Sequence, residues 1–294
     1  MERTRARGRG SGTDRFLPEG NVVTEQKPQA DTGASHPAVR LESHGGIGYI
    51  KINKPKLNLY DRQFMTELNE AIDEIRFNSD IKVVILVSEL EKVFSAGADI
   101  HMLKASRPEF KASFCLDAQE TLAKIERTPK IFLAALHGHT VGGGLEIALA
   151  TDIRFAVDSP QVQIGLPEVK LGVLPGTGGT QRLTRLIGKS RALDLMITGR
   201  LLNPQEAYEL GIVNYLYPAD QLLDRVEEYA RNLLNGATRA VGLIKQAVVH
   251  GSEVSLDEAL FMERELQNRL FVTDDAQEGL QAFIEKRAPT FRGT

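Results

Sequence analysis

His137-Gly138-His139-Thr140-Val141-Gly142-Gly143-Gly144-Leu145-Glu146 comes directly after the apolar run Ile131–Leu136 and leads into Ile147-Ala148-Leu149. A short apolar run bounded by glycine reads as a strand, and the segment after the third glycine reads as a helix, so this is a strand–turn–helix junction. Three consecutive glycines leave backbone N–H groups unhindered at a helix N-terminus, where donors lack partners and partial positive charge collects. Such a turn suits an anion, or the oxyanion that develops on a reacting carbonyl. Tight packing also accounts for three glycines, and a helix dipole alone favours a solvated Glu146 in the first turn.

Two further junctions share this grammar. Phe94-Ser95-Ala96-Gly97-Ala98-Asp99-Ile100 comes soon after the apolar run Ile81–Val87. Leu166-Pro167-Glu168-Val169 is followed by Leu174-Pro175-Gly176-Thr177-Gly178-Gly179-Thr180-Gln181-Arg182-Leu183. N–H groups from two separate loops, converging on one oxygen, make an oxyanion hole. Glu146 and Glu168 beside such a hole are the parts needed for proton transfer next to a carbonyl. Against this, a glutamate after proline simply starts a helix. The Gly176–Gly179 stretch, read as a phosphate cradle, lacks the Gly-Lys-Ser/Thr ending of a Walker loop. No Gly-x-Ser-x-Gly elbow is present, so a serine hydrolase has no support. His137 and His139 have no third ligand at a metal-binding spacing and read as structural, so no metal is expected. Cys115 reads as a small apolar filler.

Outward from these junctions, strand-like runs alternate with helical patterns. Ile47–Ile52 and Ile81–Val87 read as strands, the second being the continuous apolar kind found in a sheet buried on both faces. Phe64, Leu68, Ile72 and Ile75 between them lie at helical spacing, and Asn78-Ser79-Asp80 ends that helix. Asp152–Val157 and Val162–Ile164 are further short runs. From Pro204 onward the pattern is mainly helical, with one apolar run at Ile212–Leu216. The expected class is α/β with a mostly parallel sheet and right-handed crossovers. Residues 1 to about 40 are rich in Arg, Gly, Pro, Ser and Thr and read as a disordered extension.

The whole chain has 294 residues, 42% of them hydrophobic and 26% charged, enough for a sizeable core. Thirty-six Lys plus Arg against 39 Asp plus Glu give a net charge of -3, which argues against a nucleic-acid binder. A single cysteine excludes an intrachain disulfide. No apolar run approaches the ~20 residues of a membrane-spanning helix, so no membrane partner is expected and the location reads as cytoplasmic or an organelle matrix.

Together the three junctions resemble the enoyl-CoA hydratase/isomerase (crotonase) family. Asn53-Lys54-Pro55, Gly188-Lys189-Ser190 and the tail Phe283-Ile284-Glu285-Lys286-Arg287-Ala288-Pro289-Thr290-Phe291 extend the resemblance, in the family's order, over about residues 41 to 294. It implies a crotonase-like ββα spiral over 41–203 and a helical C-terminal trimerisation region over 204–294, assembled as a homotrimer or homohexamer. It implies that Ala98 and Gly143 N–H groups hold a thioester carbonyl and that Glu146 and Glu168 are the catalytic carboxylates. Ala96, Gly97, Ala98, Asp99, Ile100, Gly142 and Gly143, with Phe283 and Lys286 from the tail, are then expected against the coenzyme A thioester, the tail pair serving a neighbouring subunit. Two glutamates favour hydration of a trans-2-enoyl-CoA with no separate cofactor; double-bond isomerisation, decarboxylation and a non-catalytic acyl-CoA-binding module are the alternatives. The sequence departs from the family at Asn58-Leu59-Tyr60-Asp61, where Asn-Ala-Leu-Asn is common, and at His101. The helix that binds RNA in one family branch corresponds here to Glu67–Arg76, which is acidic, so no nucleic-acid partner is expected.

Overall fold

Strand β1 (Val39–His44) pairs antiparallel with β2 (Ile47–Ile52) across the turn at Gly45-Gly46. A computed structural model describes residues 36–293, so the expected extension lies, up to residue 35, outside the described residues. Ala38 and Val39 are already buried, which moves the start of the folded body ahead of the expected 41. Helix α1 (Arg62–Phe77) buries the Phe64, Met65, Leu68, Ile72 and Ile75 stripe and ends at Asn78. Asp61 caps it by accepting from the Phe64 N–H at 3.0 Å. The spacing of that stripe is what made this helix readable.

Three turns of strand, strand and helix come next. The first is β3 (Val83–Ser88), β4 (Val93–Ser95), α2 (Ile100–Ala105) and α3 (Pro108–Arg127). The second is β5 (Ile131–Leu136), β6 (His139–Val141) and α4 (Gly143–Leu149). The third is β7 (Ile153–Val157), β8 (Ile164–Gly165), a 3₁₀ turn at Glu168–Leu171, α5 (Gly179–Ile187) and α6 (Lys189–Thr198). Then come α7 (Pro204–Glu209), β9 (Tyr215–Tyr217), α8 (Leu222–Leu234), α9 (Thr238–Gly251), α10 (Leu256–Phe271) and α11 (Asp274–Glu285).

Each turn sends one strand to each of two sheets. The large sheet has the order β1-β2-β3-β5-β7-β9, and the small one β4-β6-β8. All pairings after β1–β2 are parallel. In β3 the run Val83–Leu86 is fully buried, as a strand covered on both faces requires. β9 pairs with β7, and α8 packs on β3, β5 and β7. Residues 37–294 form one compact unit that includes the helical C-terminal region. The reason is physical: β7 would otherwise present an unpaired edge, and β9 covers it. No helix among the described residues is long and apolar enough to cross a membrane.

Candidate active site

β4, β6 and β8 are neighbours and parallel, so the chain leaves all three at the same end of the small sheet. The loop 96–99 follows β4, Gly142-Gly143 follows β6, and Pro167-Glu168 follows β8. Three junctions far apart in sequence meet because the strands before them are adjacent. Carboxyl ends of parallel strands are where open sheets place ligands.

The first loop is pinned from both sides. Gly97 O accepts from Tyr60 N–H at 2.9 Å, and Asp99 N–H donates to Tyr60 O at 2.9 Å. Ser95 Oγ donates to Asn58 O at 2.8 Å and accepts from Gly97 N–H at 3.2 Å. Asn58 itself is buried and donates through Nδ2 to Ser88 Oγ and Phe94 O, both at 2.8 Å. Gly97 has φ +95, and a Cβ on it would stand 2.9 Å from Gly143 N, so only glycine lets the two loops touch. Among the described residues, neither Ala98 N–H nor Gly143 N–H has a backbone or side-chain acceptor. Asp99 caps α2 through the His101 and Met102 N–H groups, and Ile100 is exposed.

Glu146, in the first turn of α4, is 2% exposed. Its Oε1 accepts from Thr177 N–H and Gly179 N–H, each at 2.7 Å. Burial pushes its pKa up, while those two N–H donors and the Arg182 charge pull it back. Arg182 also holds the loop that supplies the donors. It grips Glu126 through Nε and Nη2, both at 2.7 Å, and donates from Nη1 to Thr177 O at 3.0 Å. Gln119 donates to Gly176 O at 2.7 Å.

Glu168 is placed differently. Its Oε1 would lie 3.2 Å from a Cβ on Gly142, which puts the carboxyl directly against the second glycine loop. Both oxygens are sealed from solvent and have no hydrogen-bond partner among the described residues. Burial raises its pKa to about 7, and the neighbouring Glu146 adds to the rise. A buried polar group without a partner is uncommon in a folded protein, and a buried carboxyl with a shifted pKa beside a second carboxyl is a candidate functional group.

The remaining candidates lie elsewhere. His137 Nε2 bonds Leu90 O at 2.6 Å, and His139 Nδ1 accepts from Gln163 N–H at 3.2 Å, so both are used by the fold. Phe283 is 86% exposed on α11, and Lys286 ends that helix with φ 56; α11 packs on α10. The loops thus bring Ala96–Asp99, Gly142, Gly143, Glu146 and Glu168 together. Three residues beside the carboxylates escaped the sequence reading: Tyr60, Thr177 and Arg182. Their only sequence signals are the unusual tyrosine after Asn58 and the position of Thr177 and Arg182 inside the third junction.

The sequence signature of enoyl-CoA hydratase/isomerase matches residues 42–294. The chain belongs to the enoyl-CoA hydratase/isomerase family. It is 40% identical over 260 residues to the probable enoyl-CoA hydratase echA8 of Mycobacterium tuberculosis, covering 87% of this chain and 98% of that one. A short-chain-enoyl-CoA hydratase of Clostridium acetobutylicum is 38% identical over 250 residues, covering 85% of this chain and 95% of the relative. Among solved structures, the enoyl-CoA hydratase of Geobacillus kaustophilus HTA426 superposes with a TM-score of 0.86 at 53% identity, over 88% of this chain and 98% of that one. The two-sheet spiral with its helical C-terminal region is the crotonase fold of these enzymes.

Proposed function

We propose that this protein adds water reversibly across the C2=C3 bond of a trans-2-enoyl-CoA to give a 3-hydroxyacyl-CoA. The observation that carries this is the unequal pair of carboxyls at two glycine loops. One is clamped by two N–H groups, and the other is sealed, unpartnered and poised near neutrality.

The unused N–H groups of Ala98 and Gly143 take the thioester oxygen. Negative charge gathers there as water attacks C3, and losing one such donor typically costs about 3 kcal/mol of transition-state stabilisation. Glu146 accepts a proton from the attacking water; Thr177 and Gly179 hold its carboxylate, and burial makes it more basic than a surface glutamate. Glu168, whose pKa lies at about 7, is neutral below that pH and delivers its proton to C2. Oxygen and one proton of water, with one proton from Glu168, have then added; a proton passed from Glu146 back to Glu168 restores the enzyme. The substrate's own thioester is the electron sink, so this reading calls for no cofactor beyond the coenzyme A of the substrate. Phe283 and Lys286 are assigned to the coenzyme A of a neighbouring subunit in a homotrimer or homohexamer, which accounts for their exposure here. An aqueous compartment, cytoplasm or organelle matrix, suits a reaction that consumes water.

The test is loss of the conjugated-thioester absorbance on adding protein. Glu146→Gln and Glu168→Gln each keep the side chain's shape and remove its acid–base function, so turnover should fall at least about 10²-fold, the lower range of general acid–base catalysis. The double variant should fall short of the product of the singles, because both groups act on one water. Near-normal hydration by either single variant would sink the two-carboxyl mechanism. An isomerase or decarboxylase relying on one carboxylate would tolerate one of the two changes.

A further inference from the structure

Tyr60 touches all three site loops at once. Its backbone pairs with Gly97 and Asp99, fixing the turn that contains Ala98. A Cβ on Gly143 would stand 2.3 Å from the phenol oxygen, so the hydroxyl lies directly on the second loop. That hydroxyl shares a hydrogen bond of 2.9 Å with Thr177 Oγ1 in the third loop, the residue whose N–H holds Glu146. The ring is buried and wedged beside Phe64 and Phe114, with centroids at 6.4 and 5.9 Å. Nothing in sheet or helix formation requires a phenol here; phenylalanine would fill the same space.

We propose that Tyr60 is a positioning residue of the hydration site, its hydroxyl acting through Thr177 to set the place and basicity of the Glu146 carboxylate. The inference rests on the hydration reading above. The chain of contacts is Tyr60 O–H, Thr177 and Glu146; donated from the phenol, the hydrogen bond polarises Thr177, whose side chain and N–H both favour the charged carboxylate. Burial, then the Glu146 charge, pushes the phenol's pKa far up and keeps it protonated, so it is able to donate in the bond it shares with Thr177. The other groups facing Glu146 are Arg182 from α5, Cys115 from α3 and Glu168 after β8.

The experiment compares wild type, Tyr60→Phe, Thr177→Val and the double variant on crotonyl-CoA, with Glu146→Gln as the reference for the hydration reading. Tyr60→Phe keeps the ring and is expected to lower kcat about tenfold with KM within about twofold, as removal of one positioning hydrogen bond does. Its kcat/KM profile should lose activity at higher pH on the acidic side than wild type, because Glu146 becomes easier to protonate. In the Thr177→Val background the same change should cost less than about twofold. Wild-type kcat and an unmoved acidic limb in Tyr60→Phe would overturn the inference while leaving hydration standing, provided Glu146→Gln is inactive. A full tenfold loss persisting in the Thr177→Val background would overturn it too, since the hydroxyl would then act by another route. Normal hydration by Glu146→Gln would overturn both. Should Tyr60→Phe fold poorly, the acidic limb of Thr177→Val carries the test: an upward shift supports the link, and no shift overturns it.

Discussion

Glu168 has an ordinary carboxyl pKa of 4.5 when unfolded and about 7 in the fold, chiefly because burial penalises the charged form. A raised folded pKa means that the native state binds the proton more tightly than the unfolded chain. The associated stability is fully present below the unfolded value and is lost as pH rises through about 7. Glu168→Gln removes this dependence. Its melting temperature relative to wild type should therefore be higher at pH 8 than at pH 5, measured by calorimetry at both. An equal difference at the two pH values would show that the carboxyl titrates normally in the fold. The same group should give the hydration rate an alkaline limb near pH 7, since only the neutral acid can supply the proton to C2. Glu146 and Glu168 were legible in the sequence because glycine and proline punctuate the chain beside them. Tyr60 was not, since what matters about it is an approach of 2.9 Å to a hydroxyl 117 residues away.

At the scale of elements, the site depends on where short strands stop. The apolar runs Ile47–Ile52, Ile81–Val87 and Ile131–Leu136 were readable as strands because they are long and buried. β4, β6 and β8 are two or three residues long, too short for any periodicity, yet they are the ones that aim the loops. β1 was missed for another reason: Val39-Arg40-Leu41-Glu42-Ser43-His44 is an edge strand whose second half is exposed. Within the helical region after residue 203, β9 and α8 return to the large sheet, a long-range pairing that no local pattern encodes. The third loop is likewise held from a distance, by α3 and α5 through Glu126 and Arg182. Arg182→Met keeps the apolar stem and removes the fork, leaving Glu126 and Thr177 O without their donor. The loss should be about 1–3 kcal/mol of stability. Turnover should also fall, because the Thr177 and Gly179 N–H groups are no longer fixed on Glu146 and an opposing cation is gone. Thermal denaturation and steady-state kinetics on one preparation check both; an unchanged kcat would show that the loop holds itself.

At the scale of the whole molecule, apolar side chains crowd the surface of the last two helices. Leu256 is 73% exposed, Phe261 58%, Phe271 51%, Val272 82%, Phe283 86% and Ile284 73%. α10 itself is well made, with a capping box between Ser255 and Glu258, so its exposed face is not a fraying end. A surface of this kind on a folded subunit marks an interface, and closed rotational symmetry is the usual way to bury it. If the subunits assemble as the proposed homotrimer or homohexamer, sedimentation at micromolar protein should show a mass three or six times the 32.4 kDa subunit. Phe271→Glu would place a charge in that apolar face and should shift the distribution toward the single subunit. Because Phe283 and Lys286 are assigned to a neighbour's coenzyme A, dissociation should raise KM for the acyl-CoA more than it lowers kcat, the loops and both glutamates lying within one chain. A wild-type protein that sediments only at 32.4 kDa would remove the interface. A dissociated Phe271→Glu variant with unchanged KM would keep the interface and remove the neighbour's part in substrate binding.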